Sequence, residues 1–289
     1  MSTLWKEIQL KMLHSGSKLN LLIGINIIVF LLVNVPSIFE TLFFNSHNLE
    51  NLTTEYLLLP ASLHKLLTHF WTPLTYMFMH AGIFHILFNM LWLYWFGQIF
   101  EEFLGKKRTV GLYLMGGFAG AFLFVFCYNV LPFYTQLHVA DNSTLVGASA
   151  GVMAVMVATA TQLPNYTIPL ILIGPVKLKW LVLFFIVIDF FGITSANAGG
   201  ELSHLGGALI GFIYIKQLQK GNDWIASIAK VFKPRPKMKV VSSNYSGKSS
   251  GAPRQEEVDL ILDKISRSGY DSLTKQEKEI LFRASNNEG

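Results

Sequence analysis

The sequence predicts an all-α membrane protein, a bundle of six transmembrane helices followed by a small helical cytoplasmic tail. Three observations predict it. The 289 residues are 52% hydrophobic and 14% charged, against about 25% charged in an ordinary soluble domain. Charges are scarce from Leu19 to Ile215 and dense afterwards, which divides the chain into a membrane body and a polar tail. Lys and Arg also recur on alternate connections between the apolar runs, the pattern that the positive-inside rule gives for an even number of spans.

Residues 1–18 read as a cytoplasmic N-terminus with Lys6, Lys11 and Lys18. The candidate spans run approximately over Leu19–Val35, Thr75–Phe100, Val110–Leu131, Ser149–Leu163, Leu178–Ile193 and His204–Leu218. A full crossing needs about 20 residues, so several are short. The first run lacks an A-x-A-like cleavage site and is followed by Pro36, so it reads as a retained span rather than a signal peptide. Lys106, Lys107 and Arg108 follow the second span, Lys177 and Lys179 precede the fifth, and Lys216 and Lys220 end the sixth. The opposite connections, Pro132–Ala148 and Thr194–Ser203, hold no Lys or Arg, and the long first one holds only Lys65. Both termini are therefore expected in the cytoplasm, and a bacterial inner membrane is the expected location. The long connection after Pro36 contains "EYLLLPASLHKLLTHFW", which is apolar enough to lie in the membrane interface.

The six-span body is expected to cover residues 19–219. Residues 220–241 read as a basic amphipathic segment on the inner membrane surface, and 242–254 as a Ser/Gly-rich linker. Residues 255–289 read as two short helices, the second opened by a capping box of Thr274 and Glu277. That pair is too small for much of a core and reads as a docking element for a partner. A net charge of +5 fits a nucleic-acid binder, but no aromatic-basic interleaving supports one and the tail charges are mixed, so no nucleic acid is expected. Cys127 is the only cysteine, so no internal disulfide is possible.

The chemistry sits at the helix starts. Gly147-Ala148-Ser149-Ala150-Gly151 opens the fourth span on its outer side. Ser149 to Leu163 covers about 22 Å at 1.5 Å per residue, against a hydrocarbon core of about 30 Å. If the helix ends at the inner face, Ser149 starts below the outer surface, and its loop must line protein or a water-filled cavity. A helix N-terminus also offers free backbone N–H groups, which suit an oxyanion. Taken alone, the pentapeptide is better read as a small-residue packing face. His204, in "ELSHLGGALIGF", shifts the balance, because a histidine inside a membrane helix is a functional candidate by default. Gly207 and Gly211 form a G-x-x-x-G that lets its helix press against the span carrying Ser149, bringing imidazole to hydroxyl. "HAGIFHILFNM" adds His80, His85 and Asn89, the last two on one helix face and both of a type that can donate to an oxyanion. A zinc site is not expected, since H-E-x-x-H is absent and no convincing carboxylate ligand is nearby.

These motifs, in this order and spacing across residues 19–219, resemble the rhomboid family of intramembrane serine proteases. The resemblance implies a Ser149–His204 dyad, with His85, Asn89 and the Ser149 backbone N–H around the oxyanion, and no cofactor. It implies that Glu101, in "GQIFEEFLG", is a structural acid at the inner end of the second span. It implies transmembrane protein substrates, cut near the outer face of the bilayer. The chain departs from the common family pattern at Thr72, Ala150, Met153 and Ser203. Gly147, Gly151, Gly207, Gly211 and His80 are read as structural. Asp189, in the fifth span, is read as a helix-packing partner rather than a third catalytic member. That span, with its aromatic pairs Phe184–Phe185 and Phe190–Phe191, is expected to act with the first outer loop as a substrate gate. Two other classes compete: a non-catalytic relative that binds membrane helices, which loss of Ser149 or His204 would have marked, and a transporter, which broken-helix repeats would have marked.

Overall fold

The computed structural model describes residues 16–170, 174–231 and 255–285. Each apolar run closes its backbone hydrogen bonds on itself as a helix, the requirement that an apolar solvent imposes. Helix α1 (Lys18–Phe44) starts at Ser17, whose hydroxyl accepts from Asn20 N, and ends at Asn45 in the left-handed region at φ 48°. It runs past the expected stop at Val35 and carries Pro36 in its interior. Proline removes one backbone bond, which a helix packed in a bundle tolerates better than one in water.

The long connection is structured, through α2 (Asn48–Tyr56), β1 (Leu59–Pro60), α3 (Leu63–Thr68), α4 (Thr72–Thr75) and a 3₁₀ turn over Tyr76–Phe78. Helix α5 (Ile83–Leu104) starts well after the expected Thr75, because Thr72–Phe78 is taken up by those short turns and Gly82 opens the long helix. Then come α6 (Thr109–Val130), α7 (Pro132–Gln136) and β2 (Thr144–Leu145), with Leu145 paired antiparallel opposite Leu59 of β1. Helix α8 (Ser149–Gln162) follows. The next connection holds an antiparallel pair that the all-helical reading did not anticipate, β3 (Thr167–Leu170) and β4 (Gly174–Lys177), with Thr167 opposite Lys177. Helices α9 (Leu178–Gly192), α10 (Ala198–Gln219) and α11 (Trp224–Val231) complete this part. Helix α10 begins earlier than His204, so that histidine stands inside the helix rather than at its end.

The chain is an all-α membrane protein. Among the described residues, α1, α5 and α6 are long and apolar enough to cross a bilayer on their own. Helix α8 is shorter, and every residue from Ala150 to Ala160 in it is buried. A helix that is apolar on all sides belongs inside a bundle. Its neighbour α10 reaches it through glycines. A Cβ on Gly207 would stand 2.0 Å from the Ala150 carbonyl oxygen, and one on Gly211 would stand 2.4 Å from that of Ala154. On the far side of α8, a Cβ on Gly151 would meet the Tyr113 backbone of α6 at 2.7 Å.

Polar ties lock the end of the bundle opposite Ser149. Glu101 Oε1 accepts from Leu19 N (2.8 Å) and Thr109 Oγ1 (3.0 Å), and Oε2 accepts from Ser17 Oγ (2.8 Å), so one carboxylate joins α1, α5 and α6. Arg108 pairs with Asp223 at 2.8 Å, and Asp223 also accepts from Ala226 N at the start of α11. Burial works to raise the Asp223 carboxyl, but the bonds from Ala226 N, Arg108 and Tyr214 outweigh it and hold the group below its ordinary range.

The second compact unit spans residues 234–289. Its described part is α12 (Gln255–Ser268) and α13 (Lys275–Ser285). The capping box is present: Thr274 N donates to Glu277 Oε2 at 2.7 Å, and Glu277 N to Thr274 Oγ1 at 3.4 Å. Lys264 Nζ bonds the same carboxylate at 2.8 Å, and Ile261 and Leu273 are buried. The N-terminal segment before Gly16, most of the basic segment after Val231 and the Ser/Gly linker lie outside the described residues.

Because Gly207 abuts backbone rather than a flexible side-chain tip, Gly207→Ala should force α8 and α10 apart. The expected cost is about 1–3 kcal/mol, read as a lower midpoint of thermal unfolding in detergent. An unchanged midpoint would mean that the two helices adjust freely.

Candidate active site

Ser149 begins α8, directly after the β2 strand and the turn Val146–Ala148. Gly147 makes that turn possible. Its φ of +125° is a conformation that side-chain-bearing residues rarely take. Its N–H donates to Tyr76 O at 3.0 Å, fastening the turn to the 3₁₀ segment before α5. A Cβ there would lie 2.7 Å from His85 Nε2, and 3.6 Å from Ser149 Oγ. The bare glycine therefore lets the imidazole of His85 and the hydroxyl of Ser149 approach one point. The first intrahelical bond of α8 runs from Val152 N to Ala148 O, so the N–H groups of Ser149 to Gly151 have no helical partner.

His85 and Asn89 stand on one face of α5, as their spacing of four predicts. Ala81 N approaches His85 Nδ1 at 3.4 Å. With Nδ1 accepting, the proton of a neutral ring resides on Nε2, which makes Nε2 a donor on the Gly147 side. Asn89 Nδ2 donates one proton to His85 O at 2.8 Å. The amide has two such protons, and Asn89 also lines the cavity beside Ser149. His80 is 5% exposed and packs edge-on against His85, with ring centres 5.2 Å apart.

His204 comes from α10. Ser149, His204, His85, Asn89, Met153 and Asp189 all line one cavity of about 690 Å³. Trp92 of α5 and Phe185 of α9 also border it and touch edge to face at 5.1 Å. Beyond them, Phe184, Phe190 and Phe191 of α9 are exposed.

The surroundings of His204 differ from the sequence reading in one respect. The fold brings two carboxylates to His204, one from another helix and one from three residues earlier on its own. Asp189 Oδ1 lies 3.0 Å from Nδ1, and Glu201 Oε2 lies 3.7 Å from it. Asp189, expected to join helices, does join α9 to α10, and the group it reaches is the imidazole. Glu201 was not among the candidate residues. Its spacing of three from His204 on a helix was the available signal.

Comparison with known proteins adds the following. A protein-family model described as a Rhomboid domain matches residues 67–220, more than half of the chain. A second model, described as a family of unknown function (DUF6576), matches residues 249–287. The chain is 31% identical over 157 residues to "RHOMBOID-like protein 12, mitochondrial" of Arabidopsis thaliana, covering 52% of this chain and 47% of that protein. It is 31% identical over 162 residues to "Rhomboid-related protein 1" of Caenorhabditis elegans, covering 52% and 40%. It is 26% identical over 207 residues to "Presenilin-associated rhomboid-like protein, mitochondrial" of Bos taurus, covering 67% and 46%. The chain thus spans about half the length, or less, of these curated relatives.

Proposed function

We propose, from the premise that this chain belongs to the rhomboid family, that it is an intramembrane serine endopeptidase acting on membrane-anchored proteins. One observation carries the reading: Ser149, at a helix start whose first N–H groups have no partner within the helix, shares a cavity with His204, His85 and Asn89. Ser149 Oγ attacks the scissile carbonyl while the imidazole of His204 takes the hydroxyl proton, then returns it to the leaving amine. The oxyanion is received by the Ser149 N–H, the Nε2–H of His85 and the Asn89 amide. The substrate helix enters past Trp92 and Phe185, with α9 as the element that moves. Glu101, Gly151, Gly207 and Gly211 hold the scaffold, and His80 supports His85. The residues from 255 onward add none of the required groups and act as a docking element for a partner.

The orientation we propose has Ser149 toward the outer face, as the distribution of Lys and Arg supports. Relatives whose printed names say mitochondrial weigh against the expected bacterial inner membrane, so the proposal specifies a side of the bilayer and not a compartment.

Ser149→Ala should abolish labelling by a serine-directed fluorophosphonate probe and cleavage of a model transmembrane substrate, with the protein still folded. Labelling that survives would remove Ser149 as nucleophile. For the orientation, cysteines at Asp141 and at Lys107 in a background lacking Cys127 provide the check. The first should react with an impermeant reagent from outside and the second should not; the reverse pattern overturns the assignment.

The oxyanion donors give a graded expectation. Loss of one such donor typically costs about 2.7–4 kcal/mol, or 10²–10³ in kcat. Asn89 already gives one proton to His85 O, so Asn89→Ala should fall at or below the low end, with His85→Ala comparable or worse. KM should change little, since these bonds form mainly in the transition state. Wild-type rates for both variants would move the oxyanion elsewhere.

A further inference from the structure

Two carboxylates crowd the one imidazole that the proposed reaction needs. The Asp189 side chain is 7% exposed, and its Oδ1 lies 3.0 Å from His204 Nδ1. Its other oxygen, Oδ2, is buried with no hydrogen-bond partner among the described residues. A buried carboxylate is costly unless paired, and among the described residues the ring of His204 and the Glu201 carboxyl are the side-chain groups that meet it. Glu201 Oε2 reaches the same nitrogen at 3.7 Å, while its Oε1 accepts from Asn197 Nδ2 at 3.1 Å, which fixes the side chain from α10's own first turn. Met153, one turn after Ser149 on the cavity wall, offers only a weakly accepting thioether. The carboxylates are therefore the described groups that can hold it.

We propose that Asp189, seconded by Glu201, is a positioning residue that holds His204 in the tautomer protonated at Nδ1. The inference rests on the proposed hydrolase reading and deepens it. A carboxylate only accepts, so Nδ1 must donate, and the lone pair of the neutral ring is then on Nε2. That is the opposite tautomer to the one that Ala81 N sets for His85. One cavity thus holds an Nε2 that accepts, on His204, and an Nε2 that donates, on His85. The division suits a reaction needing a base on one side and an oxyanion donor on the other.

The proton balance is simple. The Ser149 O–H bond breaks, an N–H bond forms at Nε2 of His204, and Oγ bonds to the carbonyl carbon as the carbonyl electron pair moves onto its oxygen. When the C–N bond breaks, the Nε2 proton goes to the leaving nitrogen. Asp189 gives and takes no proton. It keeps its negative charge against a ring that is cationic between these events.

The titratable groups facing His204 are Asp189 from α9, Glu201 from α10 and His85 from α5, with Ser149 from α8. Asp189→Asn removes the charge and leaves the shape. In the full-length protein it should lower kcat by at least about 10-fold with KM little changed. Asp189→Glu should restore part of the rate. A packing role alone would lower the unfolding midpoint and leave kcat of the folded variant near wild type, so an Asp189→Asn protein that is folded and turns over at the wild-type kcat overturns the proposal. Nitrogen chemical shifts of ¹⁵N-histidine-labelled wild type, with His204 identified by His204→Gln, need neither a stable Asp189 variant nor protease activity. At neutral pH they should show Nδ1 protonated and Nε2 bare, and the reverse overturns the proposal. Wild type without any Ser149-dependent hydrolysis would sink the hydrolase reading, a separate failure. The ligand atoms of Asp189, Glu201 and His204 also lie within 4.8 Å of one another. EDTA should leave the rate unchanged, and loss reversed by zinc would overturn the positioning role in favour of a metal one.

Discussion

The close contact of α8 with α10 is the constraint on which the rest of the structure depends. Helices in lipid gain little from hiding apolar side chains from one another, so association relies on intimate van der Waals contact and on small residues that permit it. Here Gly207 and Gly211 lie against the carbonyls of Ala150 and Ala154. Helix α6 enters the same contact, since Cβ atoms on Gly120 and Gly206 would strike Ser203 O at 2.7 Å and Ala119 O at 2.6 Å. With three backbones this near, the rotation of each helix is narrowly set. The rotation of α10 decides where His204 points, and that of α8 decides where its free N–H groups point.

On that rigid centre the fold mounts a polar cluster where an apolar bundle would ordinarily hold none. Asp189 and Asn89 are buried, His80 is 5% exposed, and His204, His85 and Ser149 are partly open to the cavity. Each carboxylate and imidazole desolvated in this way costs free energy that partners must offset. The histidines share the work by holding opposite tautomers, one set by a backbone N–H and the other by a carboxylate. The surrounding connections fasten the open end. The β1–β2 pair, Lys65 Nζ on Asp141 O at 2.7 Å and Trp71 Nε1 on Tyr56 O at 2.7 Å tie the long loop down beside the turn before Ser149.

Much of this was legible in the residues. The apolar runs located α1, α5, α6, α8, α9 and α10, because a backbone in an apolar solvent has to satisfy its own hydrogen bonds. The small-residue spacings at Ser149 and Gly207 pointed to a close helix pair. Helix limits were read less well wherever the chain was not obeying hydropathy. Helix α1 passes Pro36, and the apolar stretch after Thr75 is a turn rather than the start of α5. The β3–β4 pair could not be read from Thr167–Leu170 alone, since a short apolar segment has no period that separates strand from helix.

The sequence by itself determined that the chain is a helical membrane protein, with Ser149 at a helix start, His204 on a glycine-bearing helix, and His85 and Asn89 on a single helix face. Those are local properties, set by composition, by periodicity and by small residues a fixed number of positions apart. Only the tertiary structure decided what faces His204. Asp189 is 15 residues away along the chain, and its contact depends on the rotation of α9 about its own axis against α10. Glu201 was near in sequence, but whether its carboxylate turned to the imidazole or to lipid was settled by Asn197 and by the end of α9 at Gly192, where a Cβ would meet Glu201 Cγ at 2.8 Å. Side-chain direction across a helix interface follows from packing that many residues set jointly, so no short motif carries it.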